Sequence, residues 1–157
     1  MDIYQEQCEL IDSHLDYLIN FLIDLAKPIL NETENQNLRI AVFQCLYTIT
    51  KVRGYKVCLK FFHHDIEEIE FLFKKYQEIK TEEWETRYIL LLWLSLIIRN
   101  PFPLESISGK EFIQNLLETN IKGLSEFGKV QEGFLKEIFN IFFFILEKVV
   151  QFFYQDY

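Results

Sequence analysis

The chain has 157 residues, half of them hydrophobic and 17% aromatic, with a formal net charge of -8. That length suits one domain or a short run of repeats, the apolar content argues against global disorder, and the acidic balance makes nucleic-acid binding a poor first reading, although a local basic patch can survive in an acidic chain. Only 5 Gly and 3 Pro are present, few for a β-rich chain with its many turns, so long helices are expected.

The first expected helix starts near Asp12 or Ser13 and runs to about Lys27. Leu15, Leu18, Ile19, Leu22 and Leu25 or Ala26 fall on one face at helical spacing. Asp12 is placed to accept bonds from the free amides of the first turn, and Pro28 is read as the stop. A polar loop over 31–37 leads to a second helix over 38–53, with Leu38, Val42, Cys45 or Leu46, Ile49 and Val52 facing inward. Gly54 stands where a helix C-terminal glycine belongs, and Lys51 and Arg53 suit the negative end of the helix dipole. Residues 55–62 read as a short helix or turn. Asp65 and Glu68 have the spacing of a capping box before a helix over 66–80, whose inward face is Ile66, Ile69, Leu72, Phe73 and Tyr76. Thr81 is the expected cap of the next helix, over 82–99, with Glu82, Glu83 and Glu85 in its first turn. Residues 88–98 are nearly all apolar, the mark of a helix sandwiched between neighbours. Asn100 to Pro103 breaks the pattern. Ser108 and Glu111 form a second capping box, Ile107 and Phe112 a hydrophobic staple, and helices follow over 110–125 and about 130–153.

The expected fold is therefore all-α, with about six or seven antiparallel helices. Helix pairs recur roughly every 40 residues, the spacing of HEAT or armadillo repeats; a compact helical bundle is the other arrangement this pattern permits. Cys8, Cys45 and Cys58 are odd in number and form no C-x-x-C, which argues for a reducing compartment and against a disulfide framework. The first residues lack a basic stretch followed by an apolar one, so no signal peptide is expected. The apolar segment 138–154 is interrupted by Asn140, Glu147, Lys148 and Gln151, and its run before Glu147 is too short to span a bilayer, so a buried helix is expected. Phe142, Phe143, Phe152 and Phe153 leave open a membrane-surface role.

Three stretches carry a family resemblance. Tyr4 to Gln7 leads into Leu10-Ile11-Asp12-Ser13-His14-Leu15; Leu46 to Lys56 is followed by Phe61-Phe62-His63-His64-Asp65; and Trp84-Glu85-Thr86-Arg87-Tyr88 continues through Ile89-Leu90-Leu91-Leu92-Trp93-Leu94-Ser95. In this order and spacing the chain resembles the tubulin-folding cofactor D family. The resemblance is strongest over 4–107 and weaker over 108–133, with an atypical C-terminal helix over 134–157; Pro103 departs from the acidic residue the family pattern leads one to expect. It implies one armadillo or HEAT-like α-solenoid segment over 1–157, a fragment of a longer chain. It also implies a chaperone that binds β-tubulin, works with tubulin-folding cofactors C and E and an Arf-like small GTPase, and supports GTPase activation on the partner. The implied location is cytoplasmic and cytoskeleton-associated.

Candidate partner-binding residues are Lys51, Arg53, Lys56 and Arg87. The first three form a basic cluster suited to an acidic partner; the bland account is helix capping and solvation. Arg87 lies among Trp84, Glu85, Tyr88 and Trp93. Such a group makes either a binding hot spot or inter-repeat packing, and because Glu85 and Arg87 point to different sides of one helix, each is expected to pair with another element. His63 and His64 are adjacent and His14 is distant, so a metal site is not expected. Neither a P-loop nor a dinucleotide fingerprint occurs, and no nucleophile motif is recognisable. The chain is therefore expected to be a non-enzymatic binding segment without a cofactor.

Overall fold

A computed structural model describes residues 9–31, 35–99, 112, 115, 118, 119, 143 and 147. Among these residues the fold is all-α, with no strand. In order come α1 (Asp12–Asn31), α2 (Gln36–Arg53), the one-turn α3 (Tyr55–Cys58), two 3-10 turns (Leu59–Phe61 and Ile66–Glu68), α4 (Ile69–Glu78) and α5 (Trp84–Ile98). The chain divides into two compact units, one comprising Met1–His64 with Glu82–Trp93 and the other Asp65–Thr81 with Leu94–Tyr157.

In the first unit, α1 packs against α2. Arg53 at the end of α2 bonds Asp12 at the start of α1, so the two helices run antiparallel. The ridge of α1 is Leu15, Ile19, Ile23, Ala26, Ile29 and Leu30, all 5% exposed or less. Leu18, Leu22 and Leu25 flank it and are half-buried. Pro28 does not stop the helix, which continues to Asn31. Proline removes one backbone donor and crowds the preceding turn. Here Asp24 and Pro28 are both exposed, so water can serve the orphaned carbonyl, and burial of Ile29 and Leu30 favours another turn. Asp12 spends its carboxylate on Arg53 rather than on capping.

The inward positions of α2 are Val42, Phe43, Leu46, Ile49, Thr50 and Val52. Leu38 is 49% exposed and Cys45 is exposed, so the stripe begins later than expected and passes through Leu46. Gly54 ends α2 at φ 92° and ψ 132°, its N–H donating to Thr50 O at 2.9 Å. Its own carbonyl accepts from Val57 and Cys58, opening α3. One residue with positive φ thus closes one helix and starts the next, a backbone state that glycine adopts without a Cβ penalty.

In the second unit, α4 buries Ile69, Leu72, Phe73 and Tyr76, as its spacing predicts. Ile66 is half-buried and belongs to a 3-10 turn, so the α-helix starts later than expected. Asp65 makes no side-chain capping bond; the tight turn is closed by Glu68 N–H donating to Asp65 O at 3.1 Å. Phe73 meets Phe112 edge-on with centroids 5.1 Å apart, and the Gln77 amide donates to Thr119 Oγ1 at 3.0 Å. Phe112, Asn115, Glu118, Thr119, Phe143 and Glu147 are helical; the rest of the helices expected over 110–125 and 130–153 lies outside the described residues. The capping box at Ser108 and the staple residue Ile107 lie outside the described residues.

α5 begins in the first unit and ends in the second. From Thr86 to Ser95 every residue is buried. This matches the sandwiched helix its composition calls for. Thr81 does not cap it; residues 81–82 form a turn, and Glu83 O accepts from Arg87 N–H at 3.1 Å just before the first helical residue, Trp84.

Candidate docking surface

The four candidate binding residues fall into two environments. Lys51, in the last turn of α2, and Lys56, in α3, are exposed. Arg53 lies between them but turns to α1, where its Nε and Nη2 donate to the Asp12 carboxylate, the Nη2 bond measuring 2.7 Å. The hydrogen bond from Arg53 holds the Asp12 carboxyl below the usual aspartate range. Arg53 therefore ties the end of α2 to the start of α1.

Arg87 is 7% exposed and lies within the packed first half of α5, so the group around it is internal. Tyr47 of α2 stands edge-on to Trp84 and Tyr88, at centroid distances of 4.9 and 5.6 Å. Trp93 is fully buried, donates from Nε1 to His63 O at 2.6 Å, and meets Phe62 edge-on at 5.8 Å. The ammonium of Lys27 sits 5.9 Å from its ring centroid. These bonds satisfy the indole while its rings fill the core. Glu85 reaches Gln44 of α2 at 3.4 Å, a pairing with another element as expected.

A polar junction escaped the sequence reading. Glu83, 7% exposed, accepts two Nη2 bonds from Arg39 at 2.9 and 3.1 Å, one from Arg39 Nε at 3.2 Å, and one from the Gln36 amide at 2.9 Å. This forked pair joins the start of α2 to the residue preceding α5, and its planar geometry is the kind for which arginine is suited. Arg39 and Glu83 are distant in sequence, and Glu83 read only as one of several first-turn carboxylates. A second unnoticed feature is Lys60, exposed in the 3-10 turn after α3 and four residues beyond Lys56.

His63 is half-buried and gives its carbonyl to Trp93, while His64 and His14 are exposed. Among the described residues no three His, Cys, Asp or Glu side chains gather as a metal-binding group, and no helix is long and apolar enough to cross a membrane. Phe143 is 61% exposed; Phe142, Phe152 and Phe153 lie outside the described residues.

The sequence model of one protein family, described as "Tubulin-specific chaperone D-like, ARM repeat", matches residues 1–148. Among individual proteins, "Tubulin-folding cofactor D" of Schizosaccharomyces pombe is 28% identical over 116 residues, which make up 74% of this chain and 10% of that protein. The chain thus spans about a tenth of the length of this relative. No solved structure matches it. The all-α packing, armadillo/HEAT-like in kind, and a family match over almost the whole length place the chain in the tubulin-specific chaperone D-like family of ARM-repeat proteins.

Proposed function

We propose that this chain is a non-catalytic docking segment of a tubulin-folding chaperone. The observation that carries the reading is the family match over residues 1–148, joined to a fold of packed helices. On this reading the helices hold a preorganised surface for β-tubulin and other tubulin-folding cofactors during assembly and disassembly of the αβ-tubulin dimer. Preorganisation matters because a rigid surface loses little conformational freedom on binding. Cofactors C and E and an Arf-like small GTPase are proposed as partners of the assembly, with GTP hydrolysed on the partner and not on this chain. The proposed setting is the cytoplasm, at the cytoskeleton.

The test is retention of purified αβ-tubulin by the immobilised chain, with the same chain titrated against labelled GTP. The expected outcome is specific retention of tubulin and no saturable nucleotide binding. Absence of tubulin binding by well-folded chain would overturn the docking reading. GTP turnover by the isolated chain would overturn its non-catalytic part.

A second reading, a purely structural segment, draws on a specific observation. Two of the four candidate residues serve the fold: Arg53 pairs with Asp12, and Arg87 is buried in α5. On that reading partner contacts lie elsewhere in a longer protein, and tubulin is not retained by this segment alone.

A further inference from the structure

From Gln36 to His64 the chain contains no Asp or Glu, although carboxylates outnumber basic residues overall, 24 to 16. The basic residues in that stretch are Arg39, Lys51, Arg53, Lys56 and Lys60. Carboxylates from other elements claim the two arginines: Glu83 takes Arg39, and Asp12 takes Arg53. The three lysines remain exposed, on the last turn of α2, on α3 and on the 3-10 turn that follows. Lys56 and Lys60 are four residues apart, on α3 and on the 3-10 turn that directly continues it. Among the described residues no carboxylate pairs with either of them.

We propose that Lys56 and Lys60, with Lys51 beside them, form a docking patch for an extended acidic peptide segment of a protein partner. The inference rests on the docking function proposed above and assigns it a surface and a ligand chemistry. Lys56 and Lys60 on one connection match successive carboxylates, and flexible lysine stems suit a segment without fixed structure. The choice of a peptide over a polyanionic surface follows from range. At physiological ionic strength exposed charges act over about 8 Å. A narrow peptide therefore meets mainly this connection, whose nearby carboxylate, Asp12, is already paired with Arg53, whereas DNA or an anionic bilayer also meets the acidic remainder of a chain of net charge -8.

Fluorescence anisotropy of a labelled, glycine-spaced oligoglutamate peptide with the full chain tests the patch. Binding at low ionic strength that weakens as salt rises is expected. The double substitution Lys56→Glu with Lys60→Glu weakens it by about tenfold or more, while reversal of the exposed Lys74 and Lys80 on the second unit has little effect. Acetylation footprinting of the unsubstituted chain provides a check independent of any variant's folding: the peptide protects Lys56 and Lys60 and leaves Lys74 reactive. No peptide binding, equal loss from the control reversal, or equal acetylation with and without peptide overturns the proposal. So does tighter, Lys56- and Lys60-dependent binding of phosphatidylserine vesicles or single-stranded DNA. Tubulin retention without peptide binding removes this patch alone; peptide binding without tubulin retention removes the tubulin-docking reading alone.

Discussion

Cys45 and Cys58 both sit in apolar helical patterns, yet their chemistry differs. Cys45 is exposed, whereas Cys58 is fully buried and burial pushes its thiol up to about 12. A thiol reacts as the thiolate, so Cys58 is inert near neutrality. Iodoacetamide at mildly alkaline pH should modify Cys45 in the folded chain and Cys58 only after unfolding, as read by peptide mass mapping. Equal labelling of the two in folded protein would contradict the packing around α3. The Asp12–Arg53 pair has a pH signature. The folded Asp12 carboxyl titrates below its unfolded value, because Arg53 donates to its charged form. Its stabilising effect is therefore complete above the unfolded aspartate range and is lost as pH falls through the folded value. Thermal melts should show Asp12→Asn less stable than the parent at neutral pH, with the gap closing toward pH 3. A gap that widens in acid would reverse the assignment.

Helix ends are where the elements depart from simple expectation. Pro28 is carried inside α1, Asp65 fails to cap, and Thr81 stands too far from α5 to serve it. A cap is worth about 1 kcal/mol and an internal proline costs about 3 kcal/mol; burial of one or two large apolar side chains, about 1.5–3 kcal/mol each, offsets either. Gly54 is the end the sequence does mark. With φ 92° and open space around it, the obstacle to a side chain there is backbone strain rather than crowding. Gly54→Ala should destabilise by about 1–3 kcal/mol in denaturant titration, and a neutral result would show that the turn can relax. The α2–α5 junction depends on a forked ion pair with few alternatives. Glu83→Ala strands the Arg39 guanidinium, whose side chain is only 14% exposed, and should cost about 1–3 kcal/mol. Adding Arg39→Met to that background should recover part of the loss, since the uncompensated charge is then gone.

At the scale of the molecule, the fully apolar stretch of α5 is the part least tolerant of change. Leu92 is 0% exposed, and Leu92→Ala should lower the unfolding free energy by about 2–5 kcal/mol through lost burial and the cavity left behind. A smaller loss would mean that the surrounding helices collapse into the space. The division of basic residues also appears only at this scale. Arg39 and Arg53, with forked donors, are drawn to carboxylates from other elements, while Lys51, Lys56 and Lys60 are exposed. Lys51, Arg53 and Lys56 look alike as a sequence cluster; packing makes Arg53 a clamp between helices, while Lys51 and Lys56 are exposed.

Amphipathic spacing alone determined the all-α class and the order of the helices. It also picked out the buried ridge of α4, the glycine that closes α2, and the all-round burial of α5, because each reflects a periodicity or backbone preference confined to neighbouring residues. Tertiary structure decided which arginines face inward, that Glu83 joins Arg39, that Leu38 and Cys45 face outward, and that α1 runs past its proline. Those outcomes depend on groups far apart in sequence, where the energy of burying an apolar ridge or pairing a half-buried charge exceeds the local preference that a linear reading can detect.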